Sequence, residues 1–440
     1  MQPPRINRKI KPYQLVALVF FTVSGGPYGL EPLLTYAGEH AAILVLLITP
    51  LLWDVPAIFT VLELNSMMPV TGGYYEWVRH ALGNRWGFYE GWWTVLYTFI
   101  DLAIYPVLFV GYAAFFCPGI EAYRVPICIT IVWLAAGLNI LGIVKVGKVS
   151  LFLGAAVLSP LIILFVISIY RYGGISVPAQ SLHGLKFSSL GMALYTVMWN
   201  CQGWDNVTTY AQEVERPVRS YLKATLIAFA LTMVIYFFAV VVALQAGINH
   251  DLFNDSGFPA LGELVKGRWL GAILAAGGMA SSLGIYSAVL LSVSRVPKAM
   301  ADDGFLPTRI NNLHRRFKTP YNSIFLCSAV VSFMILWPFD SLMIIDVTVY
   351  GAGLSLEYIS LIKLRISAPD IKRPFRIPLN TFGLLAALIL PFGVYLIAVA
   401  AAFTSTPKSI QAATFAVATL LTAEVMWRLI TWKKPQLRNT

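Results

Sequence analysis

The chain has 440 residues, 58% of them hydrophobic and 12% charged, and a net charge of +11. A soluble domain is nearer a quarter charged, and here the apolar residues come in blocks of about 20, the length at which a helix crosses the hydrocarbon core. Composition therefore excludes a large soluble protein; the blocks are too long and too uniform for β-barrel strands, and the positive balance reads as membrane topology with some attraction to anionic lipid, not as a nucleic-acid surface.

In chain order the sequence predicts twelve spans, near 13–37, 41–66, 86–116, 125–143, 149–170, 189–212, 220–246, 268–298, 321–338, 341–364, 380–403 and 409–431. Residues 1–12 and 432–440 form tails, and an even count puts both on one side. With the N-terminus cytoplasmic, 26 of the 32 Lys and Arg fall in the tails and the loops on that side, including the clusters Arg295 to Lys318 and Lys363 to Arg376. The other side holds Arg124, Arg171, Lys186, Lys266, Arg268 and Lys408. This asymmetry follows the positive-inside rule and predicts cytoplasmic termini in a multi-pass plasma or inner membrane protein. The first apolar run is too long for a cleavable signal peptide. The stretches 171–188, 247–266 and 299–320 are hydrophilic connections. Of the cysteines, Cys117 lies outside the spans, while Cys128, Cys201 and Cys327 read as small buried hydrophobes.

Two spans are interrupted. The first break is Ser24-Gly25-Gly26-Pro27-Tyr28-Gly29-Leu30-Glu31-Pro32, and the second is Trp199-Asn200-Cys201-Gln202-Gly203-Trp204-Asp205-Asn206. Glycine admits backbone conformations closed to other residues, and proline removes a donor and clashes inside a helix. Backbone groups at membrane depth must be paired or must line a polar cavity. Two broken spans therefore point to a ligand site in a secondary transporter. The freed N–H groups suit a carboxylate and the freed carbonyls an ammonium. Residues 24–29 and 200–206 are expected as non-helical backbone facing each other across a wet, anionic chamber.

Seven acids fall in or at the edge of spans: Glu31, Asp54, Glu63, Asp101, Asp205, Asp346 and Glu357. Intramembrane carboxylates are costly and mark function, and no Lys or Arg is placed deep in a span. Glu31, Asp101 and Asp205 are the candidates for cation binding and proton coupling. Asp205 also suits the N-cap of a second half-helix. Glu63 and Glu357 read as gate residues or partners of nearby Arg, and Asp54 and Asp346 as solvated span ends. Of the aromatics predicted near the centre, Tyr28, Tyr105, Trp199, Trp204, Tyr286 and Tyr350, those adjoining the breaks are the strongest candidates to hold an ammonium. His40, His80, His183, His250 and His314 form no metal spacing, and no hydrolase, nucleotide or cofactor motif is present. The chain reads as neither an enzyme nor an ATP-driven pump.

These motifs resemble the amino acid–polyamine–organocation superfamily, and within it the polyamine uptake branch near the L-type amino acid transporters. The resemblance runs through Val23 to Glu31, Glu63…Pro69-x-x-Gly72-Gly73…Trp77-Val78, Asp101…Tyr105-Pro106, and Trp199-Asn200…Trp204-Asp205-Asn206…Glu213 to Pro217. It continues through Gly304-Phe305-Leu306-Pro307 and Tyr350-Gly351-x-Gly353…Leu356-Glu357. Departures are Ala57 where the branch has Glu, Pro32 where it has Asp, and an apolar stretch around Leu158 where some relatives carry Lys.

The resemblance implies an all-α leucine-transporter fold. Its five-plus-five inverted repeat would comprise 13–170 and 189–364, with spans one and six broken and 380–431 peripheral. It further implies substrate bound between spans one, three, six, eight and ten, and proton-coupled uptake. The expected substrate is a cationic amine such as putrescine or spermidine, moved by alternating access, with an amino acid transporter or exchanger as the alternative. The expected substrate-binding residues are Ser24, Gly25, Gly26, Tyr28, Glu31, Asp101, Tyr105, Trp199, Asn200, Trp204, Asp205 and Tyr350.

Overall fold

Apolar runs in lipid pair their own backbone groups as helices, and the described residues form helices joined by turns, short 3-10 segments and longer connections, among them 173–186 and 303–320. The computed structural model describes residues 10–336 and 339–438. Tail residues 1–9 and 439–440, and positions 337–338 at the end of the ninth expected span, lie outside them. The helices are α1 (Pro12–Val23), α2 (Pro32–Leu52), α3 (Asp54–Met67), α4 (Tyr74–Leu82), α5 (Asn84–Ala113), α6 (Arg124–Ile140), α7 (Ile143–Tyr172) and α8 (Phe187–Cys201). They continue with α9 (Pro217–Ala246), α10 (His250–Lys266), α11 (Arg268–Val293), α12 (Arg295–Asp302), α13 (Tyr321–Met334), α14 (Phe339–Ser367), α15 (Thr381–Ala402) and α16 (Pro407–Lys433). Among the described residues nine helical segments are long and apolar enough to cross a membrane, and α1 and α13 are shorter apolar helices. Extended pairing there is limited to the single bridges Ile10 to Val214 and Thr71 to Tyr210.

Helices apolar on every side belong in a core or in lipid, and burial separates the two. α5, α11 and α14 are central: α5 packs on both of the others, and 83% of the apolar window of α14 is buried. The corresponding windows of α7 and α16 are 28% buried. Their exposed Phe152, Ile162, Tyr170, Leu421 and Trp432 form faces suited to acyl chains.

Hydrogen bonds distinguish the two ends of the bundle. At one end the Asn84 amide donates to Leu437 O, Glu215 N to Ile10 O, and the Tyr75 hydroxyl to Asp303. Ile10 and Leu437, near the two limits of the described chain, therefore gather with the 67–85, 206–217 and 302–320 connections. Burial there pushes the Glu76 carboxyl above its usual range, and the adjacent Arg79 opposes the shift. At the opposite end Gln180 bonds Glu39 O, Gln245 bonds Gly174 O, and Thr35 bonds His250 O. The stretch 247–266, expected as a hydrophilic connection, is instead α10, kinked at Gly257 (φ 61°) and packed on α11. Its Phe253, Phe258 and Leu261 are buried, which a solvated loop would not allow.

Candidate functional site

The first break is non-helical from Ser24 through Glu31, two residues longer than expected. Gly25, Gly26 and Gly29 take positive φ. Much of its backbone is already paired. Gly25 N donates to Phe20 O at 2.8 Å, Gly26 N to Ser24 Oγ at 3.2 Å, and Leu30 N to Pro27 O at 3.0 Å. Gly29 N donates to Glu31 Oε2 at 2.6 Å, and the Tyr112 hydroxyl to Glu31 Oε1 at 2.8 Å. Glu31 thus ties the break to α5, and Gly257 of α10 approaches the same carboxylate. Tyr28 has Glu31 as its charged neighbour. Its ring meets Tyr112 and Phe258 edge-on, with centroids 5.2 and 5.5 Å away.

The second break is shorter than expected. Trp199, Asn200 and Cys201 remain helical, and the non-helical stretch is 202–205. The helix end is held from outside: the Tyr236 hydroxyl donates to Asn200 O at 2.6 Å. Beyond Asp205 the expected α half-helix is replaced by 3-10 turns at Asn206–Thr209 and Ala211–Glu213. Thr208 and Thr209 turn their hydroxyls back to Asp205 O and Asn206 O, a local pairing that competes with α-helix. Asp205 makes no capping bond to that turn.

The first break touches the end of α8, just before the second break. Asn200 Nδ2 donates to Gly29 O at 2.9 Å, and a Cβ on Gly29 would lie 2.6 Å from the Trp199 ring. What separates them is indole and amide, not an open gap.

The acids sort into distinct settings. Asp101 of α5 accepts the Tyr105 hydroxyl at 2.6 Å, one turn along the same helix, and the Tyr105 ring stacks on Trp199 at 6.1 Å. Asp346 of α14 lies in the field of Asp101 and accepts Gln202 Nε2. Its second oxygen and the Gln202 carbonyl are buried without partners. Asp205 accepts the Tyr350 hydroxyl at 2.9 Å, and that hydroxyl accepts Gly203 N at 3.1 Å. Trp204, next in sequence, points elsewhere and donates to Asp54 Oδ1 at 3.0 Å.

Four expectations are corrected here. Asp54 and Asp346 are fully buried, so neither is a solvated span end. Glu357 has Asp205 and Glu90 as its charged neighbours, not an Arg. Tyr286 of α11 packs beside Cys327 and Ser328 of α13. Glu63 does pair with arginine: Arg365 Nε lies 2.9 Å from its Oε1, and Arg373 3.5 Å.

Among the described residues the buried cations are Arg295 and Arg365. Both are engaged at the end that gathers Ile10 and Leu437, Arg295 with Glu213 at 2.7 Å and Arg365 with Glu63. Among the described residues no buried Lys or His stands beside the central acids, and no group of described His, Cys, Asp and Glu is arranged to hold a metal ion. At the opposite end a cleft of about 500 Å³ opens between Thr35, Glu39, His250 and Asp251, above the start of α2.

Sequence reasoning missed Asp346, Gln202 and Glu90 as site residues. A signal for two of them was available. Asp346, Tyr350 and Glu357 are four and seven residues apart, on one face of a helix, and Gln202 lies within the break itself.

A model of the amino acid permease family matches residues 10–423. The chain is 32% identical over 403 residues to the polyamine transporter RMV1 of Arabidopsis thaliana, covering 90% of this chain and 81% of that protein. It is 31% identical over 392 residues to the polyamine transporter PUT1 of Oryza sativa, covering 88% and 73%. An uncharacterized transporter of Mycobacterium tuberculosis is 29% identical over 276 residues, covering 61% and 60%. With the helices, the breaks and the matched length in agreement, the chain belongs to the amino acid permease family of membrane transporters, within the superfamily that its motifs resemble.

Proposed function

We propose that the chain imports a cationic amine, a polyamine such as putrescine or spermidine, driven by protons and moved by alternating access. The carrying observation is the Asp101–Asp346 pair. Two carboxyl groups share a buried site beside the stacked Tyr105 and Trp199, with the buried arginines engaged elsewhere. A desolvated ammonium gains up to about 2 kcal/mol from an aromatic face and neutralises an acid that otherwise has no counter-ion. Asp205 under Tyr350 offers a second anionic point for the far end of a diamine. The plant relatives, both polyamine transporters by name, support the same substrate class.

The amino acid reading requires free N–H groups at the first break to hold an α-carboxylate. Gly26, Gly29 and Leu30 already donate to partners in their own segment and Gly25 to the last turn of α1, which favours the amine. The leucine-transporter arrangement, with twelve spans in two inverted repeats over 13–170 and 189–364, is supported by the interruptions after α1 and after α8 and by the peripheral α15 and α16. The cleft at Glu39 and Asp251 is a suitable entry, because its acids attract amines.

Uptake of labelled spermidine into proteoliposomes with an acidic exterior tests this. Saturable accumulation, blocked by putrescine but not by leucine, is the expected result. Asp101→Asn together with Asp205→Asn abolishes it. Uptake unchanged in that double variant removes these residues from the site, and a block by neutral amino acids but not diamines establishes the alternative.

A further inference from the structure

α14 carries Tyr350, Gly353 and Glu357 along one face. A Cβ on Gly353 would lie 3.0 Å from Glu90 Oε1, so Glu90 of α5 reaches α14 one turn before Glu357. The charges acting on Glu357 are those of Asp205 and Glu90. Three carboxyl groups therefore meet where α5, α14 and the second break converge, and each is at most 2% exposed.

Their hydrogen bonding differs. Asp205 receives the Tyr350 hydroxyl. Glu357 receives no donor on either oxygen and has the Asp205 carboxyl as its side-chain hydrogen-bonding neighbour, and Glu90 has no partner on Oε2. The Tyr358 hydroxyl, in the field of Glu357, Asp54 and Asp205, is also buried without a partner. The remaining titratable groups facing the cluster are Tyr74 of α4 and Tyr97 of α5, whose hydroxyls go to Asn206. None of these neighbours is cationic.

A carboxylate removed from water needs donors or a counter-ion, and otherwise it takes up a proton. Asp205 has a donor. Glu357 has neither donor nor counter-ion, and the described acids form no metal-holding group. We propose that Glu357, with Glu90 beside it, is the proton-binding site of the transport cycle, distinct from the Asp101 and Asp346 end of the amine site and adjoining its Asp205 end. This rests on the proton-driven amine import proposed above. The chemistry is one O–H bond, formed with a proton taken from water on one side and broken by release to water on the other. Tyr350 supplies the coupling. Its hydroxyl accepts Gly203 N and donates to Asp205. A movement of the break that withdraws Gly203 reorients that hydroxyl, and Asp205 then competes for the proton on Glu357.

Infrared spectroscopy of the purified protein at neutral pH reads the protonated carboxyl directly, through its deuterium-sensitive C=O stretch. The wild type is expected to show this band, and Glu357→Gln and Glu90→Gln are each expected to lose part of it. An identical band in all three overturns the proposal. Glu357→Gln is isosteric with the protonated acid and is expected to fold; if it does not, Glu90→Gln carries the comparison. In proteoliposomes Glu357→Gln should keep spermidine exchange between equal pools and lose uphill accumulation under a pH gradient. Uphill accumulation retained in both variants also overturns the proposal. If the wild type moves no spermidine, the substrate reading fails, while the infrared band still decides the proton site.

Discussion

Gly29 shows how little freedom a single position at the site has. Its φ is +104°, and a Cβ there would meet the Trp199 ring at 2.6 Å. An L side chain in this conformation costs about 1–3 kcal/mol, and the indole cannot retreat without leaving its stack on Tyr105. Gly29→Ala is expected to lower the melting temperature in detergent and to weaken spermidine binding, read by the loss of ligand-induced thermal stabilisation. A variant that melts and binds like the wild type would show that Trp199 yields freely. Position along the chain misjudged other residues at this scale. Asp54 and Asp346 read as span ends, yet Asp54, at the start of α3, is buried and accepts the Trp204 indole, and α14 carries Asp346 to the centre. Trp204 and Asp205 are adjacent in sequence and serve different partners.

At the scale of elements, the interruptions were legible because Gly and Pro act on the backbone locally. Their lengths were not, because partners distant in sequence set them. Tyr236 holds the end of α8, and Glu31 extends the first break by bonding Gly29 N. The segment after α14 depends on a tertiary tie of the same kind. Ile377 N donates to Glu63 Oε2 at 2.8 Å, and Arg365 bridges Glu63 and Leu379 O. Removing one member of a buried ion pair costs about 3–5 kcal/mol, since it strands the other charge. Arg365→Ala should therefore loosen residues 368–380 and speed tryptic cleavage at Lys372 and Arg376. Unchanged digestion would mean that Arg373 alone keeps the segment in place.

At the scale of the whole molecule, the charge asymmetry and the gathering of Ile10 and Leu437 with the same connections agree on one sidedness. In a Cys117→Ser background, Gln436→Cys should react with a membrane-impermeant maleimide only from the cytoplasmic side, and His183→Cys only from the exterior. Labelling of both from the same side would overturn the orientation. The amino-acid order by itself determined membrane residence, helical spans, two interruptions and family membership. Those properties follow from hydrophobic run length, backbone-specific residues and motif spacing, all written locally along the chain. Only the tertiary structure decided which acids share a site, which are held by donors, and which face one another without a counter-ion. Such pairings depend on distances between helices far apart in sequence, and the energy of a buried charge is set by whatever those helices bring beside it.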